Sequence, residues 1–477
     1  MMRWVSFASL LFSVASTGGE FTRAAEPGAE PARIGVHHQL FLDDDLIARM
    51  TGLERVMHRP HKRGAVIRSS NPEQVIQTRS APQWDPVAKR YRVWVIGIDQ
   101  NVWESRDGLH WVPGPKSNIK VSFAVYDPNE RDLSRRYKAP LLNRGFAVSP
   151  DGARWTQVDV PGVPSSDEGN FSYDRDHGVF IHTIKRSGPF GRSLALATSR
   201  DFKTWKDHGL IFHADKTDQE RGFRNIRARL ADSSLRQPFH VDRQVWNVDV
   251  YNMGTFFYEG LYIGMPAMYH ATGPVPNYPN TDGFHLVQLV SSRDLKTWKR
   301  IGDRGTFIGP SRLGSGAYDL VQILPPSAPV ERGDELWFYY TGLKYRASFN
   351  YVGKFPKGEY VAKPGLEPDR GAICLAVLRR DGFVSLDAGD KEGQLVTRQM
   401  VMPAGKLFVN VNAQKGRLLV EILDADNEVV AVSKSVSGDS VRQQISWKET
   451  GLDGRTGQAV SLRFTLRNAS LYSYWFK

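Results

Sequence analysis

One motif recurs along most of this chain: Ser105-Arg106-Asp107-Gly108-Leu109-His110-Trp111, Ser149-Pro150-Asp151-Gly152-Ala153-Arg154-Trp155, Ser199-Arg200-Asp201-Phe202-Lys203-Thr204-Trp205 and Ser292-Arg293-Asp294-Leu295-Lys296-Thr297-Trp298. A worn fifth copy stands at Arg379-Arg380-Asp381-Gly382. Copies follow short apolar runs (194–198, 286–291, 373–378), so each belongs at a hairpin turn. The Asp carboxylate can accept backbone N–H groups there, and the Trp four residues on can cover the adjacent sheet.

A spacing of roughly 45 residues is the length of one four-stranded propeller blade. The first two intervals fit it and the next two are about twice as long. Seven blades with two lost signatures would explain this, but residues 213–244 are charged, Arg-rich and without alternation, as an insertion is. Residues 343–370 look similar, with Gly353, Gly358, Pro364 and Pro368. The reading is therefore all-β: a five-bladed β-propeller over 37–392 with two long insertions.

The first residues, with Arg3, an apolar run over 4–15 and small residues at Ser13-Val14-Ala15, read as a secretory signal, and 1–25 as signal and leader. A secreted or periplasmic protein is expected, with no membrane span, since no apolar run is long enough. Cys374 is the only cysteine. The fold must rest on its cores rather than on an intrachain disulfide. The net charge of +12 points to an acidic partner, such as a sulfated or uronic polysaccharide, or serves solubility. A nucleic-acid partner is not expected, for there is no basic helix, zinc spacing or aromatic-basic RNA motif. Nothing in the sequence signals an oligomer, and a monomer is expected.

Residues 40–47, with Phe41, Leu42, Leu46 and Ile47 around Asp43-Asp44-Asp45, read as a strand closing the ring against the last blade, with the acids at its turn. Within each blade a polar-headed strand precedes a turn and an aromatic second strand, as in Trp84-Asp85-Pro86 before Tyr91-Arg92-Val93-Trp94. First strands of a propeller line its channel, so acids at their starts converge. These are Glu73, Asp127, Asp167 with Glu168, Asp249 and Asp319. Asp127 reads as a turn former. Asp249, inside Val245-Trp246-Asn247-Val248-Asp249-Val250-Tyr251, needs a wet pocket or a partner, because a buried carboxylate without one is too costly. Asp319 has the same character.

Carboxylates facing one another across a channel suit glycosidic bond cleavage, in which one protonates the leaving oxygen and a second attacks or activates water. Glu73, Asp167, Asp249 and Asp319 are the expected catalytic set. Arg79, Glu168, Asn170, Trp246 and Tyr251 are the expected substrate contacts, although most Trp and Tyr side chains of a propeller are blade core. Mutual repulsion among the acids should raise at least one pKa. No cofactor signature is present; His37, His38, His58 and His61 match no common metal spacing. A structural calcium in the channel would leave no sequence mark.

The repeated hairpins, blade count, channel acids and tail together resemble the invertase, levansucrase and arabinanase superfamily of glycoside hydrolases. Gln39-Leu40-Phe41-Leu42-Asp43-Asp44-Asp45-Leu46-Ile47, His58-Arg59-Pro60, Ser166-Asp167-Glu168-Gly169-Asn170 and Asp249-Val250-Tyr251-Asn252-Met253 resemble secreted propellers grouped with the family 32 N-terminal domain. By blade position, the resemblance implies Glu73, Asp167 and Asp249 for the first-, third- and fourth-blade roles. The invertase Asn-Asp-Pro, Arg-Asp-Pro and Glu-Cys signatures do not occur, so fructose specificity does not carry over. A glycoside hydrolase of a complex polysaccharide is expected; a glycan-binding propeller and a phosphorylase on the same scaffold are the alternatives. From about Gln394 the alternation of 406–413, 418–424, 429–433, 441–447 and 460–466, with glycines between, reads as a β-sandwich over 394–477.

Overall fold

The computed structural model describes residues 21–22, 30–448 and 455–477. The expected signal and leader lie outside the described residues, apart from the short strand Phe21–Thr22. The described residues divide into two compact units: those of His37–Asp43 with Met57–Val384, and those of Asp44–Val56 with Ser385–Lys477 and of the segment before 37.

The first unit is a five-bladed propeller whose blades are antiparallel sheets in chain order. Blade one runs through Gln83–Asp85, Arg90–Trp94, Val102–Ser105 and Val112–Pro113; blade two through Val125–Tyr126, Tyr137–Pro140, Phe146–Ser149 and Thr156–Val158. Blade three comprises Gly169–Asp174, Val179–Gly188, Gly191–Ser199 and Lys206–Phe212. In blade four Asn247–Tyr258 and Leu261–Pro274 precede a broken third strand, Thr281–Val287 then Val290–Ser292, and Lys299–Arg300. Blade five takes Gln322–Leu324, Glu335–Leu343 and Gly371–Arg379, and its outermost strand is His61–Arg68.

That outermost strand corrects the expectation for residues 40–47. Ring closure is made by His61–Arg68, paired antiparallel with Gly371–Arg379. Ile47–Thr51 instead pairs with Gly393–Thr397 in the second unit. Asp43 is held by the Arg293 guanidinium at 2.7 and 3.1 Å, and Asp44 by Arg55 at 2.5 Å. These acids are ion-paired.

The recurrent motif sits between the third and fourth strands of its blade. Asp107, Asp151, Asp201 and Asp294 each use Oδ1 to accept the backbone N–H groups two and three residues on, at 2.7–3.1 Å. The turn needs positive φ at the next residue, supplied by Gly108 and Gly152 and imposed on Phe202 and Leu295. These hydrogen bonds hold the Asp201 and Asp294 carboxyls down at about 2. Each motif Trp packs back on the preceding blade. Trp155 meets Trp94 edge-on, Trp205 stacks on Phe146 at 4.5 Å, and Trp111 closes the ring against Tyr339 of blade five.

The two insertions take different forms. Lys216–Ala231 is an α-helix capped reciprocally by Asp215 and Asp218. Its Arg229 reaches the Leu320 carbonyl and stacks on Phe284, anchoring it to blades four and five. Residues 343–370 hold the hairpin Phe349–Val352 and Glu359–Ala362.

In the second unit the expected sandwich is one curled, twelve-stranded sheet. Residues 406–424, expected as two strands, form one strand of 17 residues, Leu407–Leu423. Its first part pairs mainly with Val436–Gln444 and Ala469–Phe476 and its second part with Val429–Val432 and Ala459–Arg467, with a register shift between Ala413 and Leu418. The strand passes through Gly416 because a Cβ there would lie 1.8 Å from the Arg467 carbonyl oxygen. Among the described residues no helix is long and apolar enough to cross a membrane.

Candidate functional site

At one end of the channel the starts of the inner strands surround a pocket of about 360 Å³. Arg79 comes from the approach to blade one, Phe123 from blade two, Asp167 and Glu168 from blade three, Tyr251 from blade four and Gln322 from blade five; Arg346 and Phe349 come from the second insertion.

Three ion pairs lie in its wall or close behind it. Arg79, 3% exposed, donates from Nε and Nη2 to the two oxygens of Glu168 at 2.7 and 2.5 Å. This two-bond fork fixes the plane of the carboxylate. Asn252 adds a long contact from Nδ2 at 3.4 Å. Lys185, buried within blade three, donates to Asp167 Oδ1 at 2.6 Å and lies 4.0 Å from the Tyr251 ring centroid. Burial lowers the Lys185 pKa against the pull of Glu168 and Asp167. Arg192 holds Asp249 at 2.8 Å and lies over Tyr251 and Tyr269. Burial, with Glu168 adding to it, pushes the Tyr251 hydroxyl up to about 12.

The sequence-predicted residues fall into separate places. Asp167, Glu168, Arg79 and Tyr251 line this one pocket. Asp249 is not among its lining residues; it is 4% exposed and faces Arg192, with Oδ1 left without a partner. Its pKa is raised, but the cause is burial, opposed by Arg192, rather than repulsion from other acids. Asp319 is buried, paired with Lys62 at 2.6 Å and the Tyr340 hydroxyl at 2.8 Å. Glu73 projects outward with a 73% exposed side chain, 3.7 Å from Arg370. Asn170 is buried and bonds Asn252. Trp246 packs between Phe223 and Arg243, beside the helix rather than in the pocket. Asp127 accepts from the Asn129 N–H and from Lys138, as a turn former does.

Arg346, Arg370, Lys185 and Arg192 were not anticipated. Lys185 carried a usable signal, a cation following Val179-Phe180-Ile181-His182-Thr183-Ile184 in the aromatic second strand of its blade; the two insertion arginines carried none. His285 is fully buried against Tyr251 and Tyr269, and neither ring nitrogen has a partner. Burial and the charges of Arg346 and Arg192 keep it neutral.

Of the histidine cluster, only His38 joins a set able to hold a cation, with Glu259 and Asp381. Its Nδ1 lies 2.7 Å from Asp381 Oδ2, and Asp381 Oδ1 accepts from the Tyr258 hydroxyl at 2.6 Å. These groups already satisfy one another.

No family model and no curated protein matches the sequence. Solved structures do. They include a β-fructofuranosidase from Schwanniomyces occidentalis complexed with fructosyl-erythritol (10% identity, 88% of this chain and 98% of that one, TM-score 0.37) and a family 32 glycoside hydrolase from Bifidobacterium adolescentis (10%, 88% and 82%, 0.36). A β-1,2-mannobiose phosphorylase from Listeria innocua also matches (14%, 76% and 93%, 0.25). At these identities the likeness concerns the fold alone.

Proposed function

We propose that this chain is an exported carbohydrate-active propeller that cleaves glycosidic bonds of a complex polysaccharide in the pocket at the end of its channel. The observation that carries this reading is the convergence of all five blades on one pocket whose lining carboxylates are Asp167 and Glu168. Glu168, held in a fixed plane by Arg79, is the group that either attacks the anomeric carbon or takes a proton from water. Asp167 is 71% exposed at its side chain and held by a single Lys185 contact. That pair can carry one proton to the leaving oxygen, since burial disfavours the charge on Lys185. Next to the pocket residue Phe349, the insertion hairpin offers Tyr360 and Phe355, 60% and 52% exposed, as flat faces for further sugar rings.

One observation favours the binding-module alternative: both lining carboxylates are paired with cations, and neither sits in the apolar surroundings that keep an acid protonated. The two readings separate in one assay. Neutral and acidic polysaccharides are incubated with the wild type, Glu168→Gln and Asp167→Asn, and new reducing ends are counted. The proposal expects cleavage of at least one glycan and a loss of roughly 10²–10⁴-fold in each variant. Glycan retention without cleavage by the wild type supports the binding module, and cleavage only with added inorganic phosphate supports the phosphorylase.

A further inference from the structure

Around Tyr251 and Tyr269 the propeller gathers four cations. Three have their own carboxylate: Arg79 with Glu168, Lys185 with Asp167 and Arg192 with Asp249. The fourth, Arg346, makes no ion pair with any described residue, and its buried Nε has no acceptor. Its one strong neighbour is the Tyr269 ring, 5.7 Å from the guanidinium carbon. Buried Asp282 acts on Arg346 only through space: its hydrogen bonds go to the backbone N–H groups of Phe239, His240 and Gly283, and it makes no ion pair with the guanidinium. Arg370, on the same pocket wall, is only loosely matched by exposed Glu73 at 3.7 Å. Arg346 is thus a half-buried guanidinium on the pocket wall with no direct ion pair of its own, and its buried Nε gives up water without gaining an acceptor. Such a group is retained where a ligand supplies the missing anion.

We infer that Arg346 is an anion subsite of this pocket, and that the glycan it accepts carries a carboxylate or sulfate on the ring bound there. The inference rests on reading the pocket as a glycan site and narrows the substrate to uronate-containing or sulfated sugars. The planar fork of Arg346 suits a two-oxygen contact with such a group, while Arg79 is already engaged by both oxygens of Glu168 and does not compete for it.

The test is calorimetric binding of oligogalacturonate, its carboxyl-reduced neutral counterpart, a sulfated galactan oligosaccharide and inorganic phosphate to the full chain. Wild type, Arg346→Met and Arg346→Lys are compared. At least one acidic oligosaccharide should bind the wild type and lose roughly ten- to a hundredfold in affinity in Arg346→Met, the range of a charge-assisted hydrogen-bonded pair. Arg346→Lys should fall between the two, since it keeps the positive charge and loses the two-oxygen fork, and neutral sugar affinity should not change. Because Arg346 makes no ion pair with any described residue, Arg346→Met should melt close to or above the wild-type temperature; a purely structural arginine would lower it. Acidic and neutral forms bound equally, or acidic affinity unmoved in Arg346→Met, overturns the subsite while leaving a glycan pocket standing. Arg346-dependent phosphate binding with no glycan bound overturns the glycan reading instead. No binding of any probe overturns both.

Discussion

Replacing Glu168 by Gln keeps the side-chain shape and removes one charge from a pair that is almost entirely out of solvent. Arg79 is 3% exposed, and its remaining acceptors are the Thr78 carbonyl and Gln77 Oε1, each at 3.2 Å. Breaking a buried pair by removing one partner costs about 3–5 kcal/mol, because the other charge is left uncompensated. Two features reduce this here: Gln still offers one oxygen to the fork, and Glu168 is 12% exposed at the pocket wall. The expected loss is therefore about 2–3 kcal/mol. Urea unfolding should show a lower midpoint with an unchanged slope. Arg79→Met should cost a similar amount, and the double variant clearly less than the sum, with a coupling of roughly 1–3 kcal/mol. Additive losses, or a Glu168→Gln protein within about 0.5 kcal/mol of the wild type, would refute the reading of this fork as a coupled ion pair sheltered from solvent.

Other outcomes follow from the same geometry. Asp294→Ala removes two backbone acceptor contacts in the motif turn and should lower stability by roughly 1–2 kcal/mol, read as a drop in melting temperature. His182 and His270 are buried, and burial lowers both to about 4 from an ordinary 6.5. The unfolded chain therefore binds more protons between those values, so stability should be full above pH 6.5 and fall as pH drops to about 4; a flat melting profile over that window would contradict their burial as neutral rings. Deleting residues 61–68 should abolish cooperative unfolding of the propeller, because it leaves the Gly371–Arg379 edge unpaired. Tyr360→Ala should raise KM for a long glycan several-fold with kcat unchanged, measured against a short substrate that does not reach the hairpin.

The blade count and the places of the inner strands were legible because the motif repeats a local cause, an Asp gathering two backbone N–H groups ahead of a Trp that covers its neighbour. Ring closure was not. His61–Arg68 is polar along much of its length and carries Gly64, whereas the apolar residues flanking Asp43-Asp44-Asp45 in 40–47 serve other contacts. For the site, Asp167 and Glu168 were legible from their position at the head of an inner strand. Asp249 illustrates the limit. Its place in an apolar strand correctly demanded a partner, but that partner is Arg192, on another blade and 57 residues away, and no local pattern distinguishes an ion pair from a pocket. Arg346 was hidden for a related reason, since an arginine in an insertion reads as solvated until the fold shows what surrounds it.

The central claim is that the glycan enters the pocket where the five inner strands converge. A crystal structure of the Glu168→Gln protein soaked with an oligosaccharide that the wild type binds tests it most directly. The account predicts a sugar ring in contact with Tyr251 and a glycosidic oxygen within about 3 Å of Asp167. Density for the sugar at the opposite mouth of the channel, beside Trp84 and Tyr173, or on the C-terminal sheet, with this pocket empty, would contradict it.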